Sequence, residues 1–558
     1  VQGSPCLTLT PTLTFKRAVW GSRKVAQGYD YIIVGGGSAG CVLANRLTED
    51  ASVRVLLLEA GGSDRHPFIH MPVGFAKMTT GPHTWGLMTA PQKHANNREI
   101  PYAQARVIGG GSSINAEVFT RGHPSDYDRW AREEGCDGWA FDDIRKYFIR
   151  SEGNTVFAGE WHGTDGPLAV SSLNAQPMTL AFVRSCQERG IPFNPDFNGA
   201  VQEGAGVYQT TTRNARRCSA AVGYLKPVMH RPNLTVRMNV LVKRVVVEKG
   251  RATGVDIWSA KTGSETVHAD QEVIVTTGAI GTPKLMMLSG LGPAAHLKAH
   301  GIDVQADLPG VGENLTDHFG IDIVAELTGH DSLDKYNKPH WALWAGLQYL
   351  AFRTGPVASN VVEGGAFWYA DPDAATPDLQ FHFLAGAGAE AGVPSVRPGA
   401  SGITLNSYTL RPKSRGTVRL RSADPKDTPI IDPNFLGHPE DLKTSVEGVR
   451  ISREIFAQPS LQKYIRAVRF PDDSVQTQAE YEAYARAFGR TSYHPTCTCK
   501  MGSSDDPMAV VDPRLRVRGV DGLRLCDSSV MPSLIGSNTN APTIMIGEKA
   551  ADMIRGNH

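Results

Sequence analysis

Three glycines, Gly35, Gly37 and Gly40, stand in the spacing Gly-x-Gly-x-x-Gly, and a carboxylate, Glu59, closes the same stretch. Those residue types at that spacing suit the binding of a dinucleotide. Gly35 allows a tight turn, Gly37 lets a pyrophosphate approach the backbone, and Gly40 lets a helix pack on a strand. A helix that starts among Ser38, Ala39 and Gly40 turns its unpaired N–H groups and positive dipole end toward the phosphates. Glu59 is placed to accept hydrogen bonds from both hydroxyls of an adenosine ribose. A second cluster, Arg106-Val107-Ile108-Gly109-Gly110-Gly111-Ser112-Ser113-Ile114-Asn115, is small and polar with apolar flanks. Small residues admit a flat ligand close to the backbone, and hydroxyl and amide groups supply donors.

Stepping outward, the elements that hold these groups follow from local pattern. Tyr31–Val34 is an apolar, β-branched run that predicts a strand buried on both faces, and Cys41–Leu47 has helical spacing. Val53–Leu58 predicts the second strand. Residues 62–105 are rich in Pro, His and Gly and predict a loop-rich excursion, punctuated by Trp85 and Pro91, that returns near the nucleotide. Helices are predicted at Asp142–Glu152, Pro177–Gly190 and Pro283–Ser289, and strands at Leu168–Val170, within Asn233–Val247, at Arg251–Trp258 and at Glu272–Thr277. Leu379–Leu384 and Thr417–Leu420 predict strands of an antiparallel sheet in a second lobe. Gly522–Asp527 predicts a late strand ending in an acid, followed by an apolar helix, Ile544–Ile554. The nucleotide domain is therefore expected to be discontinuous, with segments 29–170, 225–317 and 510–558; a substrate-binding lobe takes 171–224 and 318–509.

Bulk properties narrow the class. At 558 residues, 41% hydrophobic and 20% charged, the chain reads as an ordinary globular protein of more than one lobe. A net charge of +1 argues against a nucleic-acid footprint. Eight cysteines are too sparse for a disulfide scaffold, and Cys497 with Cys499 has no second pair to make a zinc site, so no metal is expected. No apolar run reaches the ~18 residues of a membrane span. Trp341–Phe352, WALWAGLQYLAF, is uncharged and reads as a buried helix or the lip of a substrate mouth in preference to a membrane contact, although peripheral contact stays open. Residues 1–28 are basic and rich in Ser and Thr, which suits a transit-peptide remnant, a cloning-derived tail or a disordered one, so localisation stays open.

Three separated motifs resemble the glucose–methanol–choline family of FAD oxidoreductases: the glycine unit, Arg106–Asp128 (with Asn115, Phe119 and Gly122), and Gly278–Gly292. Gly312–His318 resembles a further family segment. Within the family the chain looks most like membrane-associated aliphatic alcohol dehydrogenases and choline dehydrogenases. The resemblance implies an α/β fold, with a Rossmann-like FAD-binding domain and an α+β substrate domain built on an antiparallel sheet. It implies that Ser38, Ala39 and Glu59 hold the ADP half of FAD. Trp85, Val107, Gly111, Asn115, Ala116, Glu117 and Val118 would lie about the flavin, with Val242 on the adenine side. Asp527 and Ser528 would meet the central part, and the helix near Pro542 and Thr543 would point its N-terminus at the flavin. Where some relatives carry a histidine that bonds covalently to flavin this chain has Ile114, so FAD is expected to be non-covalent. Gln104 replaces a usual arginine, which puts local contacts there in doubt.

By the same resemblance His494, in Thr491–Gly502, is the proton acceptor and Asn540 the second polar group, while His318 and His382 are read as structural. Neutral imidazole can take a hydroxyl proton while the α-carbon passes hydride to flavin, and an amide can hold the oxygen without titrating. The implied substrate is a small-molecule alcohol. Apolar residues between 339 and 368 favour an apolar primary alcohol over a sugar, and Glu363 keeps choline as an alternative. The acceptor (oxygen, quinone or dye) is open. A lyase or photodecarboxylase-like flavoprotein is the reading from another reaction class; His494 weighs against the photodecarboxylase.

Overall fold

The computed structural model describes residues 28–329, 332–388 and 392–556. The basic tail lies outside the described residues. Two seven-stranded sheets carry the architecture.

The first sheet runs, in spatial order, Leu234–Met238, Val55–Glu59, Tyr29–Val34, Gly263–Val275, Arg251–Ser259 and Leu241–Glu248, with Leu523–Leu525 also paired to Gly263–Val275. Its nucleotide half is parallel, with Val34 opposite both Leu58 and Val275. Ile32, Ile33 and residues Val55 to Leu58 are essentially inaccessible, so the runs without alternation do lie covered on both faces. Strand Gly263–Val275 is longer than the expected Glu272–Thr277. Its first part pairs antiparallel with Arg251–Ser259 and its last part parallel with Tyr29–Val34. The polar alternation of residues 263–271, half exposed, hides this part from a search for apolar runs. The helix after it starts at Gly278, before the expected Pro283, and ends at Leu288, with Pro283 at its midpoint.

The second sheet is antiparallel: Ile465–Phe470, Phe319–Leu327, Gly402–Thr409, Leu379–Leu384, Val362–Trp368 and Gly204–Val207, with Arg490–Thr491 also on Phe319–Leu327. Helices Pro439–Phe456 and Pro177–Glu188 cover it, burying Val446, Val449 and Ile455 on the first and Phe182 on the second. Thr417–Arg419 is not part of this sheet. It forms a separate hairpin with Ile430–Asp432, because three residues with one buried side chain give it no face to add to the large sheet.

One expectation fails outright. Pro339–Phe352 is a helix, but it is not buried. Only Ala345 and Tyr349 are covered, while Leu343, Trp344 and Phe352 are 66%, 58% and 74% exposed. Apolar composition does not report cover, and among the described residues only a single stripe of this helix is packed over.

Candidate active site

A cavity of about 360 Å³ runs between the two sheets. Its nucleotide end is built from backbone. Gly35 has φ +109°, and a Cβ there would come within 2.5 Å of the Thr276 carbonyl; at Gly40 it would meet the Gly35 carbonyl at 2.0 Å. Helix Ser38–Leu47 therefore sits closer to its strand than any side chain permits. Gly37 caps that helix, and the second glycine cluster docks on the first, with Gly109 N–H donating to Gly36 O at 2.7 Å. Gly35, Gly37, Ser38 and Ala39 line the cavity, whereas Gly40 lies behind, in the packing.

Glu59 ends its strand at the cavity wall. Its two oxygens accept the Gly36 and Gly61 N–H groups at 2.8 and 2.6 Å. Burial raises its pKa, and those two N–H donors pull it back down. Each oxygen keeps a lone pair for a further donor, which is what a ribose hydroxyl supplies.

Helix Asn540–Arg555 packs against helix Ser38–Leu47, with Gly547 close on Val42 and Ala39. Their N-termini meet at the cavity, where Ser38 Oγ donates to Asn540 Oδ1 at 2.8 Å. Two converging positive dipole ends suit anionic groups. Thr543 lines the cavity there, and Pro542 is buried behind it. Asp527 lines the cavity, and its carboxylate is also tied into the fold, accepting from Gly278 N–H, Thr282 Oγ and Ser529 N–H at 2.9, 2.7 and 2.8 Å. It thus fixes the neighbouring cavity wall, to which Ser528 also contributes.

Gly111, Asn115, Ala116, Glu117, Val118 and Val242 line the cavity. Trp85 does as well, with the Arg106 guanidinium 4.9 Å over its ring. Val107 does not. It is buried with Ile69 and Met78 behind the wall, in a small cluster whose fourth member, Ile114, does line the cavity, so Val107 supports the site without facing it. Glu117 is fully buried in the left-handed conformation (φ +62°), with both carboxylate oxygens lacking a hydrogen-bond donor. The buried Arg217 Nε stands 3.3 Å from it, and burial still raises its pKa to about 7. Open acceptors at Glu117 and Glu59, a glycine cradle and two helix N-termini form a donor and acceptor set that fits FAD, whose hydroxyl and ring N–H groups need acceptors and whose phosphates need N–H donors.

At the other end stands His494. Its backbone N–H donates to Asp317 at 2.8 Å, and Asp317 also accepts the Tyr102 hydroxyl at 2.6 Å. Its Nδ1 is 3.0 Å from His318 Nδ1. His318 Nε2 faces two carbonyls, Leu410 O at 3.0 Å and Ile535 O at 3.1 Å. Carbonyls only accept, so His318 carries its proton on Nε2 and accepts at Nδ1. His494 then donates from Nδ1 and presents the Nε2 lone pair. Burial holds both imidazoles neutral: it lowers His318 to about 4 and His494 well below the usual histidine value.

The amide facing that lone pair is Asn538, not Asn540. Asn538 Nδ2 is 3.3 Å from His494 Nε2, whereas Asn540 is held by Ser38 on the first turn of its helix. Asn538 cannot present its oxygen instead. Its Oδ1 accepts from Thr120 Oγ at 3.0 Å and from Gln380 Nε2 at 2.9 Å, which turns the NH₂ toward His494. Gln380 also faces His382 Nε2 at 3.0 Å, and burial depresses His382 to about 3. Sequence reading missed Asn538, Gln380, Thr120 and the role of His318. Ser537-Asn538-Thr539-Asn540 offers two amides two residues apart, and only the helix start separates them.

The apolar residues expected around the substrate, Trp341, Leu343, Trp344, Leu347, Phe352, Phe367 and Trp368, do not line the cavity. Phe75, Val118, Val362 and Leu384 do, from one cluster that also contains Phe197 and Tyr208. Glu363 is buried away from the cavity, its oxygens taken by Ser359 Oγ, Thr179 Oγ and the Gln176 N–H at 2.6, 2.8 and 2.7 Å. Among the described residues no His/Cys/Asp/Glu group is arranged to hold a metal, and no helix is long and apolar enough to cross a membrane. The described cysteines are buried and unpaired.

The N- and C-terminal parts of the GMC oxidoreductase profile match residues 29–320 and 412–547. The chain belongs to the GMC oxidoreductase family. It is 46% identical over 530 residues to an oxygen-dependent choline dehydrogenase of Sinorhizobium fredii, covering 94% of this chain and 95% of the other. It is 44% identical over 531 residues to an alcohol dehydrogenase [acceptor] of Pseudomonas putida, with the same coverage. Among solved structures it is similar to pyridoxine 4-oxidase from Mesorbium loti, at TM-score 0.86 and 29% identity over 95% of this chain and 100% of that one. It is also similar to formate oxidase of Aspergillus oryzae, at TM-score 0.89 and 27% identity over 95% and 98%. The chain is thus a GMC-type FAD oxidoreductase acting on CH–OH, and Ile114 lines the cavity.

Proposed function

We propose that this GMC oxidoreductase oxidises an apolar primary alcohol to its aldehyde, with His494 as proton acceptor. The observation that carries the reading is the orientation of His494, whose Nε2 lone pair faces the Asn538 NH₂ across 3.3 Å in the cavity wall. A substrate oxygen between them would accept from Asn538 Nδ2 and give its proton to His494 Nε2, leaving an alkoxide whose α-carbon releases hydride. Bound FAD supplies the two-electron acceptor for that hydride. Proton, hydride and aldehyde then account for the alcohol. Depressed basicity keeps His494 ready to accept through the neutral pH range.

Substrate class follows from the wall. Phe75, Val118, Val362 and Leu384 offer apolar contact. Each methylene that leaves water contributes about 0.8 kcal/mol. A choline-type substrate would call for a carboxylate near the ammonium, and the one considered for this, Glu363, is satisfied elsewhere. Glu117 reaches the cavity but faces the Arg217 cation. The choline dehydrogenase relatives remain the support for the second reading.

The test is a series of linear primary alcohols alongside choline, mixed anaerobically with the enzyme and then assayed with oxygen and with a quinone analogue. Bleaching of the flavin with kcat/KM rising along the series, then levelling, supports the proposal. A flat series with choline far better overturns the substrate class, and no bleaching with any alcohol overturns the reaction.

A further inference from the structure

Pro339–Phe352 has no Asp, Glu, Lys or Arg in its fourteen residues. A helix apolar on every side is ordinarily found inside a protein core or a lipid layer. This one touches the protein along one (i, i+4) stripe, Ala345 and Tyr349, where the Tyr349 hydroxyl donates to Ala215 O at 2.9 Å. Trp341, Leu343, Trp344, Leu347, Leu350 and Phe352 remain 41% to 74% exposed. At 100° per residue they span an arc of about 200°, with Gln348 as the polar side chain within it near Trp341.

The charge arrangement is as one-sided as the apolar one. Within residues 333–358 the cations are Lys335, Lys338 and Arg353, set at the two ends of the helix. Lys335 lies 5.7 Å over the Trp341 ring and Arg353 lies 4.8 Å over the Tyr349 ring. The single acid in that span, Asp334, is turned inward and accepts the Ala387 and Gly402 N–H groups at 3.1 and 2.8 Å.

We propose that this helix docks the enzyme on an anionic lipid bilayer, with its apolar sides immersed in the outer acyl layer and Lys335, Lys338 and Arg353 at the headgroups. The shape of the exposed surface selects lipid over protein. A flat protein face, or a second copy of this chain, covers about one side of a helix, while a fluid acyl layer closes around all the sides this fold leaves bare. Cations at the ends with long aliphatic stems suit headgroup phosphates above an immersed apolar body. With fourteen residues and no spanning length, the helix lies in the interface plane and does not cross.

The test is co-sedimentation of the FAD-loaded enzyme with vesicles of phosphatidylglycerol and phosphatidylcholine, and with phosphatidylcholine alone, at low and high salt. The expected result is pelleting with the mixed vesicles, reduced several-fold but not abolished by salt. Leu343→Asp with Leu347→Asp should lower the partition by about tenfold or more for each leucine, with FAD content and melting temperature unchanged. Trp344→Ser provides a second variant should the double aspartate fail to fold. Lys335→Gln with Lys338→Gln should flatten the salt dependence. Equal partition of wild type and the leucine variant would overturn the proposal. So would wild type left in the supernatant with both vesicle types, or a wild-type dimer that the same variant converts to monomer.

Discussion

The imidazoles of His318 and His494 meet Nδ1 to Nδ1 at 3.0 Å, edge to face at 88°. One of the two must donate and the other accept, and the carbonyls behind His318 decide which. The direction of the His494 Nε2 lone pair is therefore set behind His318, by Leu410 O and Ile535 O.

If His494 takes the hydroxyl proton, His494→Ala should slow anaerobic flavin reduction by roughly 10²–10⁴-fold while FAD stays bound. Because burial depresses this histidine, it is neutral above its ordinary pKa of 6.5 and charges only below it. The wild-type reduction rate should be level at neutral pH and fall on a limb that lies below 6.5. Stopped-flow reduction across pH reads both quantities. A mutant that reduces flavin at the wild-type rate places the base elsewhere.

Asn538 and Asn540 should separate cleanly. Asn538→Ala should lower the reduction rate at unchanged FAD content, since it removes the amide facing His494. Asn540→Ala should weaken FAD binding instead, because Ser38 loses its acceptor where the two helices meet. Flavin-to-protein absorbance after gel filtration, paired with stopped-flow, distinguishes them; the reverse pattern restores Asn540 as the substrate contact.

Gln380→Glu tests what turns the Asn538 amide. A carboxylate cannot donate to Asn538 Oδ1, so the amide should rotate and aim its carbonyl at His494 Nε2. A carbonyl there stabilises the imidazolium, so the acid limb of flavin reduction should move to higher pH, and Gln380→Met should move it less. An unmoved limb in Gln380→Glu, with only a uniform loss of rate, would make Gln380 a packing residue.

His382 is depressed to about 3 by burial, so its neutral form stabilises the fold fully above pH 6.5. As pH falls from 6.5 toward 3 the unfolded chain takes up a proton that the folded one refuses, and that contribution is lost at about 1.4 kcal/mol per pH unit. The difference in melting temperature between wild type and His382→Leu should therefore narrow over that window. A gap that stays constant from pH 7 to pH 5 would show that His382 does not stay neutral.

Glu59→Gln should release FAD. The replacement puts an amide NH₂ where two backbone N–H groups already point, so at least one of Gly36 and Gly61 loses its acceptor. A lost charge-assisted bond costs about 1.5–3 kcal/mol, or roughly 10–100-fold in affinity. Equal retention in both proteins would remove Glu59 from the site.

The nucleotide half was legible because each of its steps has a local signature. Gly35 and Gly40 must be glycine for reasons of backbone distance, and fully buried strands read as unbroken apolar runs. The substrate end was not legible to the same degree. His318, Gln380, Thr120 and Asn538 lie far apart in sequence and meet where the antiparallel sheet that carries Gln380 faces the segments holding Thr120 and Asn538, so no spacing reports them. Val107 shows the opposite error: Ala105 before it and Gly110 after it line the cavity, but Val107 itself is buried in a separate apolar cluster. The Pro339–Phe352 helix was misjudged because composition reports apolarity and not what covers it.

Strand Leu523–Leu525 and helix Asn540–Arg555 complete a site that begins at Tyr29, with the entire antiparallel sheet in between. A ribosome releases the glycine turn early and the helix that seals it late. The antiparallel lobe can fold while the nucleotide cleft is still open on one side, and Ser38 waits for its Asn540 partner across nearly the whole of translation. A nascent chain halted before Asp527 would carry every glycine of the motif and still lack the residues from Asp527 to Thr543 that close the cavity wall.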